Sequence, residues 1–449
     1  MGAKRKQAIH CTKMAQNRKV LHNEKPPDVT EKIDPDLMVI SGLLSGNGYE
    51  GTKHIANRLN KLTPSKKTYY DHQPKVLKAV NEIVSTDCNK YAKQIKRNTA
   101  LSCDCSWNHK HCGSAGTVTV YDNKQKKFVG CETLTKSKGK FEGNYNGNSN
   151  NMETNGLERV FDKIGDSISN KSITFSHDHC NQTHQFLKRH DSMNIKETLD
   201  PGHATQELKR SANNYFEQCA RELKDKKNDE RKTIKKCFEI FSTLITKLIV
   251  WFKVLVSCVL SEEKKEKLWK NTSKHVVGNH ADCCHPFDIT DQRGPGRPRK
   301  RKGENDDYWV WEEAVKENSL VTKLDGFLNK TTDLVKQTGV CRTQDNESVN
   351  ANILRFMPKN KVFSASSEAR ASIAIGMKND IHFESNLIQK ICPNSISSNV
   401  LNEIRKDEIQ RDSRNTLKRT PNQKYKKNIS RLKLREKNNE PPGDYKSQS

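Results

Sequence analysis

The chain has 449 residues, a formal net charge of +26 and an apolar fraction of 33%. That length allows two to four domains, and the excess of Lys and Arg makes a polyanion the expected partner. So small an apolar fraction excludes one large core along the whole chain, and fourteen cysteines scattered over it fit a reduced, intracellular protein better than a disulfide scaffold.

Residues 1–34 are basic and polar, contain Pro26-Pro27, and read as a disordered tail. No apolar run follows Met1-Gly2-Ala3-Lys4-Arg5-Lys6, so a secretory signal is not expected there, and Lys6 stands where a myristoylation signal needs Ser or Thr. Residues 35–98 read as an N-terminal helical domain. Leu37-Met38-Val39-Ile40 and Leu43-Leu44 begin it, Ser45-Gly46-Asn47-Gly48 interrupts it, and residues 51–62 and 69–83 form two more amphipathic stretches. Short helices on a basic chain suit a helix-turn-helix-like DNA module. A helical cap on the next domain suits the same pattern.

Residues 99–103 are a short apolar run expected to be a strand ending at Asp104. A polar bend after Trp107 leads to Gly116-Thr117-Val118-Thr119-Val120-Tyr121. A turn at Asp122-Asn123-Lys124 leads to Phe128-Val129-Gly130-Cys131-Glu132. Two such runs around a short polar turn predict a hairpin. A Gly- and Asn-rich loop over residues 139–151 precedes a helix carrying Met152, Leu157, Val160, Phe161 and Ile164 at helical spacing. Ile173-Thr174-Phe175-Ser176-His177 is a further strand that ends in an acid, Asp178, and residues 193–199 are another short strand before Asp200-Pro201-Gly202-His203. The order βββαβ predicts a mixed α/β sheet with helices on its faces.

Residues 206–275 read as helical. Within them residues 238–260 are apolar enough to need a membrane check, but Glu239, Lys247 and Lys253 interrupt the run. Phe241, Leu244, Leu248, Phe252, Leu255 and Val259 form one stripe, so a buried amphipathic helix is expected rather than a membrane span. Residues 276–303 are irregular and basic, residues 308–338 are expected to be helical, and residues 345–357 form a helix that Glu347 helps to open. From residue 381 onward the chain reads as a basic and mostly disordered tail, with a short helix over residues 404–411.

Three acids far apart in sequence, Asp104, Asp178 and Glu347, suit a site that holds two Mg²⁺ ions roughly 3.5–4 Å apart for work on nucleic acid. Five motifs in order then resemble one family. Asp104-Cys105-Ser106-Trp107 is similar to the Asp-Gly-Thr-Trp motif of Mutator-like DDE transposases, and Gly147-Asn148-Ser149-Asn150-Asn151-Met152-Glu153 to that family's Gly-Ser-Ser-Gly-x-Met-Glu stretch. His177-Asp178-His179 stands where the family has its second Asp, and Asp200-Pro201-Gly202-His203 resembles the following (Cys/Asp)-x-x-His motif. Gln344-Asp345-Asn346-Glu347-Ser348-Val349-Asn350 resembles the segment with the catalytic Glu, and Pro358-Lys359-Asn360-Lys361 keeps a Pro-Lys pattern. The resemblance covers residues 37–378.

It implies an RNase H-like core in two parts, residues 99–205 and 336–380, interrupted by a helical insertion over residues 206–335. Asp104, Asp178 and Glu347 would be the catalytic, metal-holding acids for Mg²⁺ or Mn²⁺. Trp107, Asp200, His203 and Asn350 would support them. The implied reaction is cleavage of transposon ends by water, followed by attack of the freed 3′-hydroxyl on target DNA. The implied partners are double-stranded DNA, at both ends and target, and further copies of the chain in a dimer or larger assembly. Two departures are visible: Cys105 replaces the family's Gly, and Asp178-His179-Cys180-Asn181-Gln182 replaces Asp-Gly-Asp-Ser-Lys. A catalytically inactive descendant acting as a DNA-binding or chromatin protein is therefore the alternative.

Arg293-Gly294-Pro295-Gly296-Arg297-Pro298-Arg299-Lys300-Arg301-Lys302 resembles an AT-hook, whose narrow Gly-Arg-Pro core lies in the minor groove of A·T tracts. Arg293, Arg297, Arg299, Lys300 and Arg301 would contact DNA, and the same run can serve as a nuclear-import signal, so a nuclear protein is expected. Cys103, Cys105, His109, His111 and Cys112 crowd together without any two-knuckle zinc spacing. His280, Cys283, Cys284 and His285 form a second cluster, for which a polar turn is the plain alternative; a zinc-dependent nucleic-acid-binding protein is the third reading. Trp107, Trp309 and Trp311 are candidates for stacking on a base, with packing the simpler role.

Overall fold

The computed structural model describes residues 32–107, 114–178, 180–190, 193–224, 244–246, 248–258, 260–273, 318–358 and 363–418. The AT-hook-like run, the 280–285 cluster, Trp309, Trp311, His109, His111, Cys112 and residues 1–31 and 419–449 lie outside them.

Three helices lead in. Helix α1 (Pro35–Leu44) begins because Asp34 Oδ1 accepts from the amides of Asp36 at 2.7 Å and Leu37 at 3.2 Å, with Pro35 set at its first turn. It ends before Gly46, whose φ of +72° and close approach to the Arg355 carbonyl suit a residue without a Cβ. Helix α2 (Tyr49–Arg58) follows, and then α3 (Lys66–Lys93), started by the Ser65 hydroxyl on the Thr68 amide. Val76, Val80, Val84, Cys88 and Ala92 give α3 one buried stripe.

The sheet is built from β1 (Asn98–Trp107), β2 (Ala115–Asp122), β3 (Lys127–Thr135), β4 (Ser172–His177) and β5 (Ile195–Leu199), in the order β3-β2-β1-β4-β5. The first three are antiparallel neighbours; β4 runs parallel to β1, and β5 parallel to β4. The β2–β3 turn is closed by Asp122, whose Oδ1 accepts from the Lys124 and Gln125 amides and from Thr99 Oγ1. Helix α4 (Met152–Ile168) lies between β3 and β4, and α5 (Asn181–Arg189) between β4 and β5.

The sheet is covered on both faces. On one, Leu157, Val160 and Phe161 of α4 and Phe186 of α5 pack on Leu101, Cys103, Cys105, Val120 and Phe175. On the other lie helices from both ends of the chain: α1 and α3, and α9 (Gln344–Phe356), α10 (Ser367–Asn379) and α11 (Phe383–Ile391). Ile40, Val80, Val349, Ile373 and Phe383 share that core with Tyr121 and Phe128 of the sheet. So the leading helices are packed as a cap that shares the core of the chain's last part. The mixed α/β sheet with helices on its faces is the expected architecture.

Between β5 and α9 the chain makes a separate apolar cluster. It joins α6 (Pro201–Lys224), helical residues 248–257, α7 (Glu262–Lys270) and α8 (Asn318–Gln337) around Phe216, Phe252, Trp269 and Phe327. Leu244, Leu248, Phe252 and Leu255 are buried in that cluster, and no described helix is long and apolar enough to cross a bilayer.

Two expectations need correction. Strand β1 does not end at Asp104 but runs to Trp107, because its antiparallel pairing to β2 continues to Trp107 opposite Gly116. Residues 381–418 are not a disordered tail: α11 and α12 (Ser398–Lys418) are helical. They are joined by Glu408, 3% exposed, which accepts from the Ser385 amide at 3.0 Å and hydroxyl at 2.8 Å. That anchor is polar, so a scan for apolar residues passes over it.

Candidate active site

The parallel pairing of β1 with β4 stops at Ser102 opposite Ser176. Two residues further along each strand come Asp104 and Asp178. Equal offsets in parallel strands put both on the same side of the sheet, the side of Ser102 and Ser176. Beyond Ser102, β1 has lost its β4 neighbour, so Asp104 stands at an opened edge although it is inside a strand.

Glu347 arrives from the far side of the insertion on α9, and a buried amide fixes that helix. Asn346, fully buried, accepts from Ser102 Oγ at 2.7 Å and donates to the Thr119 carbonyl at 3.0 Å and the Ser102 carbonyl at 3.3 Å. Its next-turn neighbour Asn350 donates to Asp104 Oδ2 at 2.7 Å, while Asp104 Oδ1 accepts from the Cys105 amide at 2.7 Å. One helix thus carries Glu347 and a ligand of Asp104 together.

Asp200 sets the remaining pieces. Its Oδ1 accepts from the amides of Gly202 at 2.6 Å and His203 at 2.9 Å, which starts α6; its Oδ2 accepts from the Thr343 amide at 2.7 Å, at the start of α9. A single buried carboxylate therefore fixes His203 and Glu347 relative to each other. Gly339 donates to the Leu199 carbonyl at 3.1 Å, and Lys265 Nζ to the Thr338 carbonyl at 2.8 Å, so the chain leaves and re-enters the sheet side by side. His203 Nε2 lies 3.2 Å from Glu347 Oε1 and 3.2 Å from Asp178 Oδ1; the second contact is at ion-pair distance without hydrogen-bond geometry.

The charges at this end of the sheet are unfavourable to one another. Burial first, and then the Asp178 charge, push the Asp104 carboxyl up to about 7. Burial likewise raises Asp178, with Asp200 and Glu347 adding to it and His203 opposing. Burial lowers His203, but Asp178 and the hydrogen bond to Glu347 outweigh it and raise the imidazole above its ordinary value. Like charges held together in a partly dry site are a common mark of function.

The expected acids Asp104, Asp178 and Glu347 are thus brought to one end of the sheet with Asp200, His203 and Asn350. Trp107 packs against Met152, Leu134 and Tyr145. Cys103 and Cys105 turn into the apolar core under α4, where burial raises both thiols well above the usual range, so they face away from Asp104. Sequence reasoning missed Asn346, although it sits inside the quoted motif. It also missed Glu197, which takes hydrogen bonds from His177 Nε2 at 2.8 Å and His184 Nδ1 at 2.6 Å behind Asp178. Among the described residues no three Asp, Glu, His or Cys side chains are drawn close enough together to hold an ion, and His203 spans Asp178 and Glu347. The donor chemistry nevertheless fits a hard divalent cation. Asp104, Asp178 and Glu347 offer oxygen, and Asp178 Oδ1 and Asn350 Oδ1 are buried with no hydrogen-bond partner. The sequence matches no protein-family model and no curated protein, so the chemistry has to be read from this geometry.

Proposed function

We propose that the chain is a DDE-type DNA transposase of the Mutator-like group, with an RNase H-like core and Asp104, Asp178 and Glu347 as its catalytic acids. The observation that carries this reading is the approach of three acids from three distant segments. Asp104 comes from β1, Asp178 from the tip of β4 and Glu347 from α9 beyond the insertion, with His203 between the last two. Bound Mg²⁺ or Mn²⁺ would supply Lewis-acid activation of the attacking oxygen and stabilise the leaving one.

The chain's own groups prepare that chemistry. Asp104, at about 7, is partly protonated in neutral solution, and a cation held there would favour its carboxylate form. Asn350 holds one Asp104 oxygen in place, leaving the carboxylate little freedom to swing. His203, held by Asp200 at the start of α6, keeps Asp178 and Glu347 from drifting apart. The net charge of +26 favours a DNA duplex as substrate, at transposon ends and at the target. On this reading the protein works in the nucleus and as a dimer or larger assembly, since two ends have to be joined.

The test is strand cleavage of an end-containing duplex with Mg²⁺ or Mn²⁺. Wild type should nick, while Asp104→Asn and Glu347→Gln should not, and both should bind DNA at least as well because phosphate repulsion falls. The run Asp178-His179-Cys180-Asn181-Gln182, which lacks the family's second acid and Lys, favours a second reading as an inactive DNA-binding descendant. Wild type that binds the duplex and never nicks it would establish that reading instead.

A further inference from the structure

The strands that carry the aspartates have another end. β1 and β4 start side by side, Asn98 opposite Ser172, and run from there toward the acids. From Asn98 to Asp104 is roughly 20 Å of strand. Three stretches meet at this starting end: residues 95–98, which lead into β1, the β2–β3 turn at residues 122–127, and residues 169–172 between α4 and β4. Backbone bonds hold them in place. The Ser172 amide donates to the Arg97 carbonyl at 2.8 Å, and the Asn123 amide to the Ala100 carbonyl at 2.9 Å.

Each stretch is basic. Lys96 and Arg97 come from the first, Lys124 and Lys126 from the second and Lys171 from the third; all are exposed except the half-buried Lys171. Two are tied down by one bond each: Lys124 Nζ donates to the Asn98 carbonyl at 3.2 Å, and Lys171 Nζ to the Ile95 carbonyl. An ammonium so held keeps two further protons for a ligand. Lys126 stands at a φ of +57°, a left-handed position where Gly or Asn is usual. The one acid on these stretches, Asp122, is fully buried and takes up the amides of the turn. Among the described residues no carboxylate is at ion-pair distance from any of the five cations. Elsewhere surface lysines do meet acids, as Lys163 meets Glu132, Lys196 meets Glu262 and Lys270 meets Glu266.

Five cations left without counter-charge on one rigid edge attract a polyanion. The kind of polyanion follows from what else is there. None of the exposed large apolar residues lies on the three stretches, so nothing is offered to a lipid surface. Single strands need open rings for stacking, and the nearby Tyr91 ring is lidded by Lys127 Nζ at 5.3 Å and Lys90 Nζ at 5.7 Å. What remains is a phosphate backbone of fixed shape. The neighbouring strands β2, β1 and β4 span about 10 Å. Over that length one strand of a duplex presents about three phosphates.

We propose that this end of the sheet docks the backbone of a double-stranded DNA segment, held by Lys96, Arg97, Lys124, Lys126 and Lys171 and separate from the segment at the acids. Cations and acids stand at opposite ends of the same strands, so a straight duplex seated across one end does not reach the other. The proposal rests on the reading that the chain binds duplex DNA, and it does not depend on cleavage.

The experiment is acetylation of the full-length chain by a soluble amine reagent, read lysine by lysine by mass spectrometry, with and without a duplex of random sequence. Fluorescence anisotropy of a labelled copy of that duplex reports binding. Bound duplex should slow acetylation of Lys96 and Lys126 about threefold or more, and the protection should fade as salt is raised. Lys270, paired with Glu266 in the insertion, should react as before. The joint variant Lys96→Gln, Arg97→Gln and Lys126→Gln removes up to three phosphate contacts. Its log affinity should fall less steeply with log salt, by about 2–3 in slope, and whatever nicking the wild type shows should remain. Unchanged reactivity of Lys96 and Lys126 while the duplex is bound overturns the docking surface and leaves the DNA reading standing. Protection by anionic lipid vesicles and not by the duplex overturns it equally. No binding of the duplex by wild type overturns both.

Discussion

Two aspartates, Asp36 and Asp104, show opposite solutions to the same difficulty. Each is withdrawn from water. Asp36, on α1, is met by Lys75 Nζ and His72 Nδ1 of α3, each at 2.7 Å. Burial raises its carboxyl, but those two bonds outweigh burial and hold it below the ordinary value. Asp104 is met by an amide and an Asn side chain, and among the described residues no cation bonds to it. Its nearby charges are mainly other acids, and it is pushed up to about 7. The first arrangement locks a helix pair. The second keeps a charge deficit open, which only a proton or a bound cation can fill.

The largest effect should come from filling that deficit permanently. Asp104→Asn should abolish metal-dependent nicking, a loss of roughly a thousandfold or more by analogy with the removal of other transition-state charge partners. The same change should stabilise the metal-free protein. A carboxyl whose folded value is raised contributes stability that is full below its unfolded value and is lost as pH rises through the folded one. For Asp104 that window runs from the ordinary carboxyl value of 3.8 to about 7. The loss across it is on the order of 4 kcal/mol at most. Metal-free wild type should therefore melt progressively lower from pH 4 to pH 8, and Asp104→Asn should flatten that slope. Identical slopes in the two proteins would remove the charge deficit from the argument.

How far the sequence foretells this site depends on what kind of force holds each part. Apolar periodicity marked β2, β3, the helix after Met152 and the helical residues 248–257, because burial of regularly spaced side chains is a local signal. The acid at the end of β4 was visible for the same reason. The extent of β1 was not: Asp104 and Ser106 alternate with Cys103, Cys105 and Trp107, and only pairing with β2 decides that the strand continues. The shared core of α1, α3 and α10 depends on contacts between the two ends of the chain, which no window of sequence contains. Asn346 and Asp200 act through hydrogen bonds to residues more than a hundred positions away, and their importance comes from where those partners are.

Asn346 is the next place to press. It is fully buried and satisfied by Ser102 and Thr119. Leu in its place would remove the acceptor of the Ser102 hydroxyl, which keeps only Asn123 Nδ2 as a donor to it, and the Asn346 donor to the Thr119 carbonyl. Asn346→Leu should destabilise by about 3 kcal/mol in denaturant melts. Because α9 also carries Glu347 and Asn350, nicking should fall even under conditions where the variant is folded. Retention of full nicking in the folded variant would mean that α9 is held by its apolar face alone.

The smallest effect tests the other half of the comparison. Asp36→Asn removes the acceptor for Lys75, whose side chain is largely exposed, and for His72, which is half-buried; both can regain water, so the loss should be about 1–2 kcal/mol. Its pH dependence has the opposite sense to that of Asp104. A carboxyl held below its ordinary value contributes stability above its unfolded value and loses it as pH falls through the folded one. Wild type and Asp36→Asn should therefore differ at pH 7 and converge below pH 4, in melts read by circular dichroism. Since Asp36 joins α1 to α3 on the cap and contacts none of the acids, nicking per folded molecule should not change. A drop in nicking without a drop in stability would mean that the cap helices reach the substrate, which would return the leading segment to the role of a DNA-contacting module.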